Sequence, residues 1–192
     1  VSAQKVGPAV AADMAKGAII SVILSLIAIF IYILARFRNV AFSIGSVLAL
    51  TIDTLIIVGM YSICWGWMPF SLEVDQTFIG AVLTAIGYSI NDKVVVFDRI
   101  RENLGLYPKR ETERLFNDSL NETLTRTIMT SATTLLVLLC IFFLGGDSIR
   151  SFAFAMILGV VFGTLSSIFL AAPIAFRTLG KKRIVEAATA KA

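Results

Sequence analysis

The chain of 192 residues contains no histidine and only two cysteines, Cys64 and Cys140. Without histidine it lacks the commonest metal ligand and the side chain that most often moves protons near neutral pH. Both cysteines lie in or at the end of apolar runs, where a thiol acts as a small packing residue and a disulfide is not expected. We therefore predict no metal site, no cofactor and no enzyme active site.

Charge is also scarce, because only 16% of the residues are Asp, Glu, Lys or Arg, against about 25% in a soluble domain. Hydrophobic residues make up 57% of the chain, which is typical of a membrane protein. The net charge is +4, but the basic residues lie at the ends of apolar runs, as topology signals do. The chain is therefore expected to contact a lipid bilayer and no nucleic acid.

Five apolar runs are long enough to cross a bilayer, since about 20 helical residues span roughly 30 Å of hydrocarbon. The sequence predicts an all-α polytopic membrane protein whose transmembrane domain, 17–176, has spans at 17–35, 40–64, 76–97, 127–144 and 151–176. The polar segment 98–126 is predicted to be amphipathic and to break at Gly105 and Pro108. A short interfacial helix is expected at 9–16, and Pro173 is expected to bend or end the last span.

Basic residues are concentrated on one side of these spans, which holds Arg36, Arg38 and all of those in 98–126 and in the tail 177–192. The positive-inside rule therefore places segment 98–126 and the basic C-terminal tail in the cytoplasm. The linker 1–16 and the loop around Trp65 are expected on the periplasmic side. An outside start for five spans implies an earlier span that this chain does not contain.

Asp92 needs an explanation, because it lies inside the third span near its cytoplasmic end. Ionisable groups in a span cost about 2.5–3.5 kcal/mol each on insertion scales and by default indicate function. A carboxyl that alternates there between protonated and ionised forms is a candidate proton carrier. The alternative is a structural arrangement with Lys93, whose amine would reach outward to the interface. Adjacent helical residues point about 100° apart, which makes Lys93 a poor direct partner for Asp92.

Arg126 opens the fourth span at the same end and is the candidate partner of Asp92, unless it is an ordinary positive flank. Side chains that can bond across helices or line a wet path form the expected supporting polar path: Ser89, Asn91, Asp53, Thr127, Thr130 and Ser131. For Asp53, in the second span, the alternative is a protonated carboxyl in an interhelical hydrogen bond. Glycines allow close helix packing, and we predict such contacts at Gly80, Gly87, Gly159 and Gly163.

Residues 85–92 (AIGYSIND) and 94–103 (VVVFDRIREN) closely resemble the signature of the SecF family, whose members partner SecD in the bacterial Sec protein-export machinery. The hydroxyl-rich stretch from Asn121 to Thr134 resembles the next motif of that family. Gly145-Gly146, Gly159, Gly163 and Ser166-Ser167 resemble the one after it. The similarity extends over nearly the whole chain.

The resemblance implies the second to sixth helices of a six-helix transmembrane half of the RND superfamily type. It implies a subunit that uses the proton or sodium motive force to promote polypeptide export across the inner membrane. The family's membrane carboxylate and the arginine of its following helix correspond to Asp92 and Arg126. Its third-helix aspartate corresponds to Asp53, which is preceded here by Ile52 where the family usually has histidine.

The implied partners are SecD or a SecD half, a SecYEG-type channel, YajC/YidC-type accessory proteins and the exported polypeptide. The alternative function is a structural scaffold half of an RND-type complex, with no ion-coupling role and with Asp92 and Arg126 as a structural ion pair. A drug exporter of the same superfamily is disfavoured by the Asn-Asp and Asp-Arg-Ile-Arg-Glu sequences at 91–92 and 98–102.

Overall fold

The structure, a computed structural model, describes residues 8–70 and 72–189. The elements in chain order are α1 (Pro8–Phe37), α2 (Val40–Cys64), α3 (Gln76–Leu106), α4 (Thr112–Leu144), α5 (Asp147–Ser166), a π-helical turn (Ser167–Ala171) and α6 (Ala172–Thr189). Five stretches are long and apolar enough to cross a membrane: Ala12–Phe37, Val40–Cys64, Gln76–Leu106, Thr112–Leu144 and Ile149–Gly180. The prediction of an all-α polytopic protein with five spans is confirmed.

Short polar sequences set where the helices begin. The chain turns after α1 at Arg38, which has a φ of 50°, and the Asn39 side chain then accepts a hydrogen bond from the Ala41 N–H at the start of α2. Asp75 caps α3 in the same way by accepting from the Phe78 N–H at 2.8 Å. Both caps satisfy backbone donors that a helix leaves free at its N-terminus.

Helices α3 and α4 are longer than the spans predicted for them, because the helix continues through Gly105 and the break lies between Leu106 and Thr112. With 31 and 33 residues they are about 47 and 50 Å long, well beyond the roughly 30 Å hydrocarbon layer. Segment 98–126 is therefore an antiparallel extension of two spans. We call this end of the bundle the basic end, and the end near Trp65 the tryptophan end.

The two helix extensions are held together by apolar and polar contacts at the basic end. Ile100 and Leu115 are buried there, and the Asn103 amide donates to the Ser119 hydroxyl at 2.9 Å. On the outer surface, Arg99 forms an ion pair with Glu122. The extension is thus built as a packed helical hairpin.

One further expectation about helix boundaries is wrong, because residues 9–16 are the first turns of α1 and form no separate interfacial helix. Pro173 does not end the last span. The helix instead widens into a π turn directly before it, where the Ala172 N–H donates to the Ser167 carbonyl. Such a turn accommodates a residue that cannot donate. The tail is helical to Thr189, while 1–7 and 190–192 lie outside the described residues.

Helix α3 is the centre of the bundle, since it contacts α1, α2, α4 and α5 and packs most extensively against α5. One apolar cluster, which includes Ile57, Tyr61 and Phe78, fills the tryptophan end. A second cluster, which includes Phe42 and Phe97, fills the basic end. The polar residues of the centre lie between these two apolar layers.

The contact between α3 and α5 depends on two glycines. A Cβ atom added to Gly159 would overlap the Cβ of Ala85, and one added to Gly163 would lie 2.7 Å from the Ser89 hydroxyl. Gly80 and Gly87 differ from the prediction, because they lie on an exposed part of α3 where an added Cβ meets no described atom within 4 Å. Between α3 and α5 the close packing is therefore made by the glycines of α5.

Gly159→Ala is expected to destabilise the protein by about 1–3 kcal/mol, because the new methyl group overpacks the α3–α5 contact. Gly59→Ala is the matched control, since that glycine is also helical but has open space around it. The control should be neutral or stabilising by up to about 1 kcal/mol through helix propensity. Unfolding free energies of the full-length protein in detergent micelles measure both, and equal effects would contradict the assigned packing.

Candidate functional site

Three polar residues of α3 lie on its buried face, one turn apart or adjacent: Ser89, Asp92 and Lys93. Asp92 is 3% exposed and Lys93 is not exposed at all. Because the two are adjacent, their side chains leave the helix about 100° apart and meet different neighbours. The central helix therefore presents two separate polar contacts to the helices around it.

Lys93 is bound in a closed cluster between α2, α3 and α5, which we call the lysine cluster: Asp53, Ser89, Lys93 and Ser166. The Lys93 ammonium donates to Asp53 Oδ2 at 3.0 Å, to Ser89 Oγ at 2.6 Å and to Ser166 Oγ at 2.8 Å. The two serine hydroxyls each lie 2.8 Å from the same Asp53 oxygen. All three N–H donors of the ammonium are thus used.

The lysine cluster corrects one interpretation of the sequence. Lys93 does not reach outward to the interface, because its ammonium is paired inside the bundle. Asp53 accepts interhelical hydrogen bonds from the hydroxyls of Ser89 and Ser166, and it also forms an ion pair with Lys93. Sequence reasoning missed the role of Lys93. The available signals were the i, i+4 spacing of Ser89 and Lys93, and a second buried acid that requires a cation.

Asp92 faces α5 and α4 instead. The Thr164 hydroxyl donates to Asp92 Oδ2 at 3.3 Å. The hydroxyls of Thr164 and Ser131 are 2.6 Å apart. A chain of two hydroxyls therefore connects the carboxyl of α3 to α4. Ser131 was among the residues predicted for the polar path, whereas Thr164 was not.

Arg126 does not pair with Asp92 in this structure. Its side chain is exposed, and none of the ion pairs in the described ranges involves it. It lines an open groove of about 460 Å³ between α3 and α4, together with Asp98, Glu102 and Glu122. The predicted partner thus lies in an exposed groove whose charged lining includes three acids and Arg99.

The other residues of the predicted path have different surroundings. Asn91 is exposed on α3, and Thr130 donates its hydroxyl to the Arg126 carbonyl at 2.9 Å. Thr127 is buried, and its hydroxyl has no hydrogen-bond partner among the described residues. Only Ser131 of the predicted threonines and serines of α4 joins the hydroxyl chain that reaches Asp92.

Helix α5 contacts both acids, because Thr164 bonds Asp92 and Ser166 bonds the lysine cluster. The π turn begins immediately after Ser166, and such turns occur frequently at functional sites. Charged groups buried at membrane depth are expensive and usually face the interior of a bundle in pairs. Five apolar helices around a buried acid–lysine core define a polytopic membrane protein with an ionisable centre.

Comparison with known proteins gives the family. The family model for the C-terminal part of the protein export membrane protein SecD/SecF matches residues 1–181. The chain therefore belongs to the SecD/SecF family of protein-export membrane proteins.

The relatives match almost all of the chain. It is 50% identical over 186 residues to the protein translocase subunit SecF of Rhodothermus marinus, which covers 95% of the chain and 60% of that protein. It is 40% identical over 190 residues to the protein translocase subunit SecDF of Thermus thermophilus, which covers 99% of the chain and 25% of that protein. The chain thus spans 60% or less of the length of these two relatives.

Two crystal structures of SecDF have a similar fold. The Thermus thermophilus protein, described as translocon-associated, superposes with a TM-score of 0.80 at 41% identity, over 91% of this chain and 23% of that one. SecDF in a super-membrane-facing form gives a TM-score of 0.75 at 41% identity, over 85% and 21%. The resemblance to SecF expected from the motifs is confirmed.

Proposed function

We propose that this chain is the membrane part of a SecF-type subunit that uses the proton or sodium motive force to promote polypeptide export across the bacterial inner membrane. In this proposal Asp92 takes up and releases the coupling ion. The observation that supports it most is the setting of Asp92: the carboxyl is buried at membrane depth and is bonded by a hydroxyl, with no cation in ion-pair contact among the described residues.

The hydroxyl chain supports a proton step at Asp92. A neutral carboxyl is compatible with the apolar surroundings, whereas an ionised one requires a cation or water. Ser131 and Arg126 both lie on α4, roughly 7.5 Å apart along its axis and about 140° apart around it. A movement of α4 that combines a shift along α3 with a rotation would exchange the hydroxyl contact of Asp92 for a contact with the Arg126 guanidinium.

Such an exchange gives the helices two arrangements that a proton can select. Protonated Asp92 keeps the hydroxyl contact, and Arg126 remains in the acidic groove. Ionised Asp92 attracts Arg126. One charge that crosses the membrane supplies about 2.3 kcal/mol per 100 mV, so that a few ions per cycle suffice to bias a domain movement.

The exposed face of α3 has the composition expected of a contact surface for a SecD-type partner half. Gly80, Thr84, Gly87 and Asn91 recur along one stripe of the helix and are all exposed in this chain. An amide such as that of Asn91 is costly against lipid, and small residues favour close helix contact. We propose that SecD or a SecD half covers this stripe, and that the complex acts with a SecYEG-type channel and YajC/YidC-type accessory proteins.

The distribution of basic residues supports the orientation. The basic end holds Arg36, Arg38 and the helical hairpin, whereas the tryptophan end has little positive charge. We propose that the basic end and the C-terminus lie in the cytoplasm and the loop around Trp65 lies in the periplasm.

Asp92→Asn is expected to abolish gradient-dependent export, because an amide cannot exchange a proton. Export of a reporter polypeptide into membrane vesicles that contain the full-length complex, with and without an imposed gradient, measures the effect. Asp118→Asn is the matched control, since this acid lies in the helical hairpin outside the groove that contains Arg126 and is paired with Arg110; it should retain gradient-dependent export. Normal export by an assembled Asp92→Asn complex would overturn the proposal.

A further inference from the structure

Lys93 is the one described Lys or Arg side chain that is fully buried, and it follows directly after the proposed ion carrier in the chain. Its ammonium nevertheless makes no ion pair with Asp92. The three N–H donors end on Asp53, Ser89 and Ser166. The nearest cation in sequence is therefore fully engaged by other partners.

The position of the Lys93 ammonium matters because nearby charges determine whether Asp92 can take up a proton. The charged groups that act on Asp92 are Lys93 on α3 and Arg126 on α4. Among the described residues, α5 presents the Thr164 hydroxyl to it. A cation within about 4–6 Å strongly favours the ionised form of a carboxyl. An ammonium that turned to Asp92 would keep it ionised and would prevent it from taking up a proton.

The hydrogen bonds of the lysine cluster prevent the Lys93 ammonium from reorienting towards Asp92. Asp53 Oδ2 accepts hydrogen bonds from the Lys93 ammonium and from both serine hydroxyls. These bonds hold the ammonium in place. The lysine is bound by Asp53 of α2 and Ser166 of α5, whereas Asp92 is bound by Thr164 of α5. Rotation of the ammonium towards Asp92 would break three hydrogen bonds at once.

We infer that Asp53 is a positioning residue that holds Lys93 away from Asp92 and thereby keeps Asp92 able to exchange a proton. This inference rests on the proposed role of Asp92 as the ion carrier. It gives the two buried acids different functions: Asp92 changes its charge during the cycle, and Asp53 keeps its charge as the counter-ion of Lys93.

Carbodiimide labelling tests the inference, because dicyclohexylcarbodiimide reacts with protonated carboxyls within membranes. The full-length complex in native membranes is treated at one pH, and mass spectrometry of the peptide that contains residue 92 measures the labelled fraction. Asp53→Asn should reduce labelling of Asp92 about tenfold, since the freed ammonium then pairs with it. Asp53→Asn with Lys93→Met should restore the wild-type level, because no buried cation remains.

Equal labelling of Asp92 in the wild type and in Asp53→Asn would overturn the inference, as would a failure of Lys93→Met to restore labelling. If Asp53→Asn does not accumulate in the membrane, Ser89→Ala with Ser166→Ala replaces it, because that variant keeps both charges and frees two ammonium donors. Its labelling should fall below that of the wild type, and an unchanged value would contradict the inference.

The labelling result and the export result can be separated. If Asp92→Asn exports normally, the proposed ion carrier fails, whereas the labelling still reports where the ammonium points. If Asp92→Asn abolishes export but Asp53→Asn leaves the labelling unchanged, only the role assigned to Asp53 fails.

Discussion

Lys93→Met is expected to lower the free energy of unfolding by about 3–5 kcal/mol, because it leaves the Asp53 carboxylate buried without its cation. The pair has almost no access to water, with side-chain exposures of 0% and 3%. Water therefore cannot replace the lost ammonium. The methionine itself fits the volume and is not the source of the cost.

The combined variant Asp53→Asn with Lys93→Met is expected to cost far less than Lys93→Met alone. A buried ion pair that is replaced as a unit by neutral residues is often close to neutral in stability, and the asparagine can still bond the two serines. Lys109→Met is the control, because Lys109 is exposed in the turn between α3 and α4. Surface changes of this kind stay within about 0.5 kcal/mol.

Unfolding free energies of the full-length protein in detergent micelles decide between these expectations. Equal destabilisation by the single and the combined variant would mean that the pair is not a mutually dependent unit. A Lys93→Met variant as stable as the Lys109→Met control would mean that the ammonium is not held as the structure describes.

Most of the fold could be predicted from hydropathy, because the bilayer imposes a length and an apolar composition on every span. The second span was predicted at 40–64, and α2 runs from Val40 to Cys64. The lengths of α3 and α4 could not be predicted in this way. Outside the bilayer, the length of a helix depends on its packing and its caps rather than on hydropathy. Gly105 is tolerated within α3 because contacts such as the hydrogen bond between Asn103 and Ser119 hold the hairpin together.

The site could be predicted only in part. The cost of an acid in a span pointed to Asp92 and Asp53, and both are buried. The partners of these acids depend on helix rotation and on the register between helices, which the sequence of one span does not contain. The sequence therefore could not show that Lys93 pairs with Asp53, or that Thr164 and Ser166 of α5 contact the two acids.

The same limit explains the glycines. A small residue predicts that a helix can be approached closely, but it does not say by which neighbour. Gly159 and Gly163 of α5 are met by α3, whereas Gly80 and Gly87 of α3 meet no described atom at a Cβ position. The exposed stripe of α3 is explained by the partner half that we propose, which lies outside this chain.

Exchange of the two charges of the proposed switch is expected to abolish gradient-driven export completely. In the variant Asp92→Arg with Arg126→Asp, the guanidinium at position 92 remains charged at every physiological pH. The buried position then has no group that can gain and lose a proton. Export with and without an imposed gradient should therefore be equal in vesicles that contain the full-length exchanged complex.

The exchange distinguishes an ion carrier from a scaffold. If Asp92 and Arg126 served only as a structural ion pair, their exchange would keep the attraction and would restore export relative to either single variant. The structure gives a matched control in Arg110 and Asp118, a surface pair of the helical hairpin that lies outside the groove containing Arg126. Surface pairs contribute about 0–1 kcal/mol, so that Arg110→Asp with Asp118→Arg should retain export.

The outcome for each class is therefore distinct. An ion carrier loses gradient-driven export in the Asp92/Arg126 exchange and keeps it in the Arg110/Asp118 exchange. A scaffold in which Asp92 and Arg126 serve only as a structural ion pair keeps export in both exchanges, because the two positions still carry opposite charges. Restored export in the first exchange would contradict the proposal that Asp92 takes up and releases the coupling ion. Assembly with the partner half, measured by co-purification, must be intact for the comparison, since a buried guanidinium can also prevent folding.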